Sequence, residues 1–285
     1  MNYFFNILLL LISLFFSFNV TAQKSTIEID ITKGRIELIP IAINNFNATS
    51  NTEKELSKKI NNVITNDLIS SGLFKELSKG AFLQPSEEVF SQPVFKDWRI
   101  IDAHILVSGK ITLKDNKIIM PIKVWDVYGE NLMINKKISG VVSSSWRTAA
   151  HIISNLIYFR ITGEVGYFDT KIAYISEEKI AEKKIKRLAI MDQDGENHIY
   201  LTDGKHIVLT PRFSPVKQEL VYLSYSKKVP SLYLYNLEDG KNSLLGSFSG
   251  MSFAPRYSPD GRKIALSLSS KGNTNIFILD LKNNK

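Results

Sequence analysis

The sequence contains no cysteine. That single absence excludes disulfides, thiolate metal sites and a thiol nucleophile together. Histidine is scarce, and His104, His151, His198 and His206 lie too far apart for a short metal-binding spacing. We read all four as packing or surface residues. Nothing Gly-rich is arranged to cradle a phosphate. No apolar run is long enough to cross a bilayer as a helix, because the run at residues 7–16 is short and broken by Ser13. A catalytic set is missing as well. Gly250-Met251-Ser252-Phe253-Ala254 lacks the final Gly of a nucleophile elbow and falls between two strands rather than at a strand-to-helix turn. Asp192-Gln193-Asp194-Gly195 lacks the later ligands of a calcium loop and reads as a hairpin turn. Glu87-Glu88 and Glu177-Glu178 read as solvated loop pairs.

What is present is ordinary for a globular protein: 285 residues, 44% hydrophobic and 22% charged, enough for about two domains. The net charge of +8 is spread along the chain. Its densest stretch, residues 179–187, is interrupted by Ile180, Glu182 and Ile185, so a solvated loop is expected there and no nucleic-acid partner. Residues 1–22 have the length and apolar centre of a signal peptide, with a small residue, Ala22, for cleavage. The expected product is an exported chain with no span left after cleavage; an uncleaved anchor is the alternative.

Residues 23–163 read as an α/β N-terminal domain. Ile27, Ile29 and Ile31 alternate with polar residues as in a strand, and a second strand is expected over 35–43 after the Lys33-Gly34 turn. Thr52 and Glu55 suggest a capping box. Leu56, Ile60, Val63, Ile64 and Leu68 then recur at helical spacing as far as Gly72. Three strands come next, over 105–113, 117–127 and 132–142, joined at Asp115-Asn116 and at Gly129-Glu130-Asn131. A second helix is expected from Ser145 to Thr162. Trp98, Trp125 and Trp146 are expected in this domain's core, and residues 164–169 are expected to form a hinge into the C-terminal region.

From residue 164 to Lys285 the chain repeats. Pro211-Arg212-Phe213-Ser214-Pro215 returns 44 residues later as Pro255-Arg256-Tyr257-Ser258-Pro259, and Leu232 to Asn236 returns as Ile276 to Asp280. A period of about 40–50 residues built of short strands and turns is the signature of four-stranded propeller blades. A weaker copy begins near Ile172, with four extra residues between its strands and a helical pattern where its inner strand belongs. The fold expected is therefore an α/β domain followed by an incomplete β-propeller of about two and a half antiparallel blades. Stacked blades need neighbours to bury their faces, so the 285 residues are expected to be part of a longer array, with residues 164–285 prone to aggregate alone. Met251 and Phe253 are expected in a loop at one mouth of the central channel, where binding residues concentrate.

One set of segments has a familiar order. Thr162-Gly163-Glu164-Val165-Gly166-Tyr167-Phe168-Asp169-Thr170-Lys171-Ile172-Ala173-Tyr174 is followed by Ile190-Met191-Asp192-Gln193-Asp194-Gly195 and by Gly250-Met251-Ser252-Phe253-Ala254-Pro255-Arg256-Tyr257-Ser258-Pro259-Asp260-Gly261. Together with the leader and the small α/β domain, this order resembles the TolB family, periplasmic propeller proteins of the Tol-Pal system. The resemblance covers the whole chain. It implies six blades, a non-enzymatic binding role in the periplasm and no cofactor. It also implies two partners: Pal, the peptidoglycan-associated lipoprotein, at one propeller mouth, and the inner-membrane protein TolA at the segment after the leader. The implied role is in outer-membrane invagination at division and in outer-membrane integrity. By position, Thr26, Ile27, Glu28, Ile29, Asp30, Ile31 and Thr32 would be the TolA-contacting strand, adding to a sheet edge. Met251, Ser252, Phe253 and Ala254 would lie in a Pal-facing loop; some relatives have a His in place of Met251. The alternative is the propeller of an exported serine peptidase of the prolyl-oligopeptidase kind, since the Ser-Pro-Asp-Gly repeat occurs there too.

Overall fold

The computed structural model describes residues 37–226, 229–248, 251–270 and 272–282; at residues 141–144, 180, 251–253 and 270 the description covers the backbone alone. The expected TolA-type strand, Thr26 to Thr32, lies outside the described residues.

The first region is a mixed sheet between two helical layers. Its centre is β1 (Ile39–Ile43), whose run of apolar residues suits a strand covered on both faces. It pairs in parallel with β2 (Phe74–Glu76) on one side and β3 (Ile105–Gly109) on the other. The sheet continues antiparallel from β3 through β5 (Lys117–Asp126), which also carries β4 (Thr112–Lys114) and β6 (Asn131–Val141). Asp115 and Asn116, both at positive φ (50° and 57°), form the tight turn between β4 and β5. Alternation along β5 sends Ile118, Met120, Ile122 and Val124 to the same buried face.

That face is covered by α1 (Asn51–Ser70) and α4 (Val142–Thr162), which pack on the sheet to form the larger core. α1 contributes Leu56, Ile60, Val63, Ile64 and Leu68, each within a turn of the next and each buried. Burying such side chains contributes about 1.5–3 kcal/mol apiece before the entropy of ordering them is subtracted. The helix starts two residues earlier than expected. Ser50, not Thr52, is the N-cap, and Glu53, not Glu55, completes the capping box. The sequence offers both frames. Glu53 prevails because its second oxygen also accepts a hydrogen bond from the Leu113 amide (2.9 Å), which ties the helix start to the β4 strand.

The opposite face carries α2 (Ser86–Ser91) and α3 (Phe95–Ile100) over a smaller cluster around Ala42, Val89, Trp98 and Leu106. All three tryptophans pack as expected: Trp98 is buried, Trp125 sits against the small cluster and Trp146 against the large one. Glu87 and Glu88 are not loop residues. They occupy the first turn of α2, where negative charge complements the unpaired amides of the helix start.

The second region is a series of separate antiparallel sheets. β7 (Lys171–Ile180), β8 (Lys183–Asp192) and β9 (Ile199–Tyr200) form the first, which has no inner strand among the described residues and comes directly after α4. β10 (Val208–Phe213), β11 (Glu219–Ser224), β12 (Ser231–Asn236) and β13 (Asn242–Ser247) form a complete four-stranded blade. β14 (Met251–Tyr257), β15 (Lys263–Ser270) and β16 (Asn273–Asp280) form the third sheet. No closed ring exists among the described residues. The period-2 geometry of β11 explains how blades stack: Leu220 and Tyr222 enter a cluster with Leu188 and Ile190 of the first sheet, while Val221 and Leu223 enter one with Ile264 and Leu266 of the third. Both inner strands have a register shift at the same repeat position, between Leu209 and Arg212 in β10 and between Phe253 and Arg256 in β14. Pro211 and Pro255 sit in those bulges, where a missing amide costs no ladder hydrogen bond.

The charged stretch 179–187 is not a loop. It is the paired outer end of the β7–β8 hairpin, turning at Ala181 (φ 53°). Glu177 and Glu178 belong to strand β7 and neutralise the basic residues across from them: Glu177 meets Lys184 at 2.7 Å and Lys186 at 3.2 Å, and Glu178 meets Arg187 at 2.9 Å. Cross-strand pairing of opposite charges stabilises an arm where the sequence suggested only solvation.

Candidate functional site

Two stretches were candidates for partner contacts. Only one falls within the described residues. Met251, Ser252, Phe253 and Ala254 do not form a loop: they open β14, with Met251 opposite Ser269, Ser252 opposite Leu268 and Phe253 opposite Ser267. The repeat explains the difference, since Val208 and Leu209 occupy the matching places in β10. Ser252 in a regular strand also lacks the sharp turn that a nucleophile elbow requires.

A second constellation is built at the joint between the helical layer and the first blade, from residues far apart in sequence. His151, on the inner face of α4, is 2% exposed, and its Nδ1 lies 2.7 Å from Oδ2 of the buried Asp67 on α1. The other carboxylate oxygen of Asp67 accepts a hydrogen bond from Gln193 Nε2 (3.2 Å), in the turn after β8. In that turn Asp194 receives the Arg147 guanidinium and stands 3.8 Å from His151 Nε2. Gly195, at φ 89°, gives the turn its shape, which the sequence indicated. Asp192 at the end of β8 is held by Lys171 (2.6 Å) and Asn197 (2.5 Å). Burial pushes the Asp192 carboxyl up, but these partners outweigh it and hold the group below the ordinary Asp value. Beside the joint lies a cleft of about 490 Å³ lined by Lys59, Asn66, Trp146 and Glu196, among others.

Residues 164–169, expected as a hinge, are anchored. Phe168 is fully buried in the α/β core. The Asn155 side chain accepts from the Phe168 amide (2.9 Å) and donates to Asp169 (2.6 Å). Gly166 passes so close to Asn155 that an added Cβ would overlap it. The 192–195 turn was legible in the sequence but its partners were not, because Asp67 and Gln193 are separated by 126 residues. Of the other histidines, His104 pairs with Asp102 at 3.5 Å, and His198 packs between Tyr174 and Tyr200. No helix among the described residues is long and apolar enough to cross a membrane.

Comparison with known proteins matches both regions in the same order. The TolB amino-terminal domain model matches residues 27–133, and the TolB beta propeller domain model matches residues 158–285. The chain belongs to the TolB family. The Tol-Pal system protein TolB of Rickettsia felis is 42% identical over 275 residues, covering 94% of this chain and 60% of that protein. The corresponding Rickettsia prowazekii protein is 43% identical over 252 residues, covering 86% and 56%. The chain therefore spans about three-fifths of the length of the curated relatives it matches. The crystal structure of TolB from Acinetobacter baumannii superposes with a TM-score of 0.78 at 27% identity, over 87% of this chain and 59% of that one. The incomplete TolB propeller expected from the repeats is thus the observed fold. Arg147, His151 and Asn155 fall between the two matched segments of the TolB family, on the helix that joins them.

Proposed function

We propose that this protein is a periplasmic component of the Tol-Pal system, a scaffold without enzymatic activity that binds Pal and TolA. Its work would be to couple them during outer-membrane invagination at division and to keep that membrane intact. One observation carries the reading: a TolB-type amino-terminal domain and TolB-type blades occur in one chain in the family's order. The serine-peptidase alternative leaves residues 27–133 without an explanation. Pal would meet the rim bordered by Met251, Ser252, Phe253 and Ala254, which open an inner strand. TolA would pair with the extended stretch Thr26, Ile27, Glu28, Ile29, Asp30, Ile31 and Thr32, whose alternating pattern suits strand addition.

If the exported amino terminus exchanges between docked and free states, the two bindings are coupled, and each partner alters the other's affinity by the same factor. Deleting residues 23–32 from the full-length protein tests both parts. Calorimetry is expected to show loss of TolA binding and a changed dissociation constant for Pal. Undiminished TolA binding would overturn the assignment of the strand. An unchanged Pal constant would overturn the coupling alone.

A further inference from the structure

We propose that the joint between the helical layer and the first blade is a proton-operated clasp. In it, His151 takes up a proton as Asp67 and Asp194 close on its ring from opposite sides. Such a clasp would work whichever partners the protein binds.

The hydrogen-bond geometry leads to it. Asp67 Oδ2, as a carboxylate oxygen, only accepts, so the ring nitrogen 2.7 Å away carries hydrogen. That leaves Nε2, which is buried and has no hydrogen-bond partner. The carboxylate that faces it is Asp194, at 3.8 Å. A neutral ring would aim a lone pair at that anion; a ring protonated on both nitrogens aims an N–H. Protonation therefore turns a repulsion between the buried ring and the more exposed Asp194 carboxylate into an attraction between two parts of the fold.

The charges around the ring agree. From α1 comes Asp67, from the end of β8 Asp192 and from the turn after it Asp194, from α4 itself comes Arg147, and from β7 comes Lys171. Lys59 and Glu196, of opposite charge, also line the cleft. Three carboxylates thus face two permanent cations, and His151 as imidazolium closes the balance. A divalent metal is the competing occupant, because ligand atoms of Asp67, His151 and Asp194 lie within 4.8 Å of one another. It fits worse. The Arg147 guanidinium already holds the Asp194 carboxylate, and a dication there would face a fixed positive charge. A proton on Nε2 needs no such displacement.

Linkage sets the direction of the pH dependence. The closed joint binds a proton that the opened joint releases more readily, so the closed form is favoured in acid and that advantage is lost as pH rises through the imidazole range. Residues 1–285 hold no cysteine, so once any cysteine beyond them is replaced by serine, two introduced cysteines are unique labelling points. In the full-length protein, Lys96→Cys on α3 and Lys241→Cys beside β13 would carry spin labels for distance measurement. A narrow distribution at pH about 5.5 and a broad one at pH about 8 is expected. Asp194→Asn is expected to broaden it at both values. Equal widths in the parent at both pH values, or a distribution in Asp194→Asn as narrow as the parent's at pH about 5.5, would overturn the proposal. Should that variant fail to fold, the parent's two widths alone decide.

Discussion

Replacing Glu53 by Gln tests whether the start of α1 is the fastener that joins helix and hairpin. The carboxylate accepts three backbone amides: Thr49 at 3.0 Å and Ser50 at 2.9 Å on one oxygen, and Leu113 at 2.9 Å on the other. It is a buried residue, and the hydrogen bonds, that from Ser50 foremost, hold its pKa below the ordinary value of 4.5 against the effect of desolvation. A glutamine side chain keeps one acceptor oxygen, which can stay on Thr49 and Ser50, and turns its amide nitrogen toward Leu113. That strands one donor, the Leu113 amide, against another donor. A buried donor left without a partner costs about 1–3 kcal/mol, so a loss of about 2 kcal/mol is expected at pH 7. For a region of this size that is about 5–10 °C in melting temperature.

Acid supplies the internal control. Because the folded-state pKa is depressed, the unfolded chain binds more protons at pH near 4, and the contribution of Glu53 is lost as pH falls through its folded value. The amide introduced by Glu53→Gln does not titrate, so the gap between parent and variant should close in acid. Tryptophan fluorescence during urea unfolding is a suitable readout, since Trp98, Trp125 and Trp146 all lie in the α/β region. A loss under about 0.5 kcal/mol at neutral pH would refute the reasoning, as would a gap that stays constant on acidification.

Asn155→Ala should remove two anchors of the connecting segment, at Phe168 and Asp169. The expected cost is about 1–2 kcal/mol, with faster proteolytic cutting within residues 164–169; unchanged cutting would show that Phe168 burial alone holds the segment. Tyr257→Phe should be neutral, or stabilising by up to about 1 kcal/mol, because the hydroxyl is buried without a partner. Burial, with Glu219 adding to it, pushes the Tyr257 phenol well above the ordinary 10. A thermal melt showing a clear loss would reveal an unseen hydrogen bond.

The repeats were legible because each blade states its pattern within 44 residues, and the two copies of Pro-Arg-aromatic-Ser-Pro marked the inner strands directly. Long helices were legible for a similar reason: α1 and α4 each contain several turns of apolar spacing. The segment between Leu73 and His104 was not. Three-residue β2 and six-residue α2 and α3 are too short to display a period; β2 exists through its pairing with β1 and the burial of Phe74 in the larger core, α2 and α3 through packing around Trp98. The capping frame slipped by two residues because Ser50 and Thr52 each have a Glu three positions on, and the choice between them rests on a distant amide at Leu113. The joint at His151 was hidden more thoroughly. Its members come from α1, α4 and a blade turn, and no local window joins any one of these three groups to another.

The β7–β8 arm has a consequence for how such chains can vary. Its four extra residues were absorbed as added rungs closed by a two-residue bend, while the rungs nearest the core, from Lys171 opposite Asp192 to Ser176 opposite Arg187, match the pairing in the next blade. Growth at the far tip in even steps leaves every inward-facing side chain where it was. Length at that periphery is therefore free to drift, whereas a single added residue near Lys171 would turn the whole strand inside out.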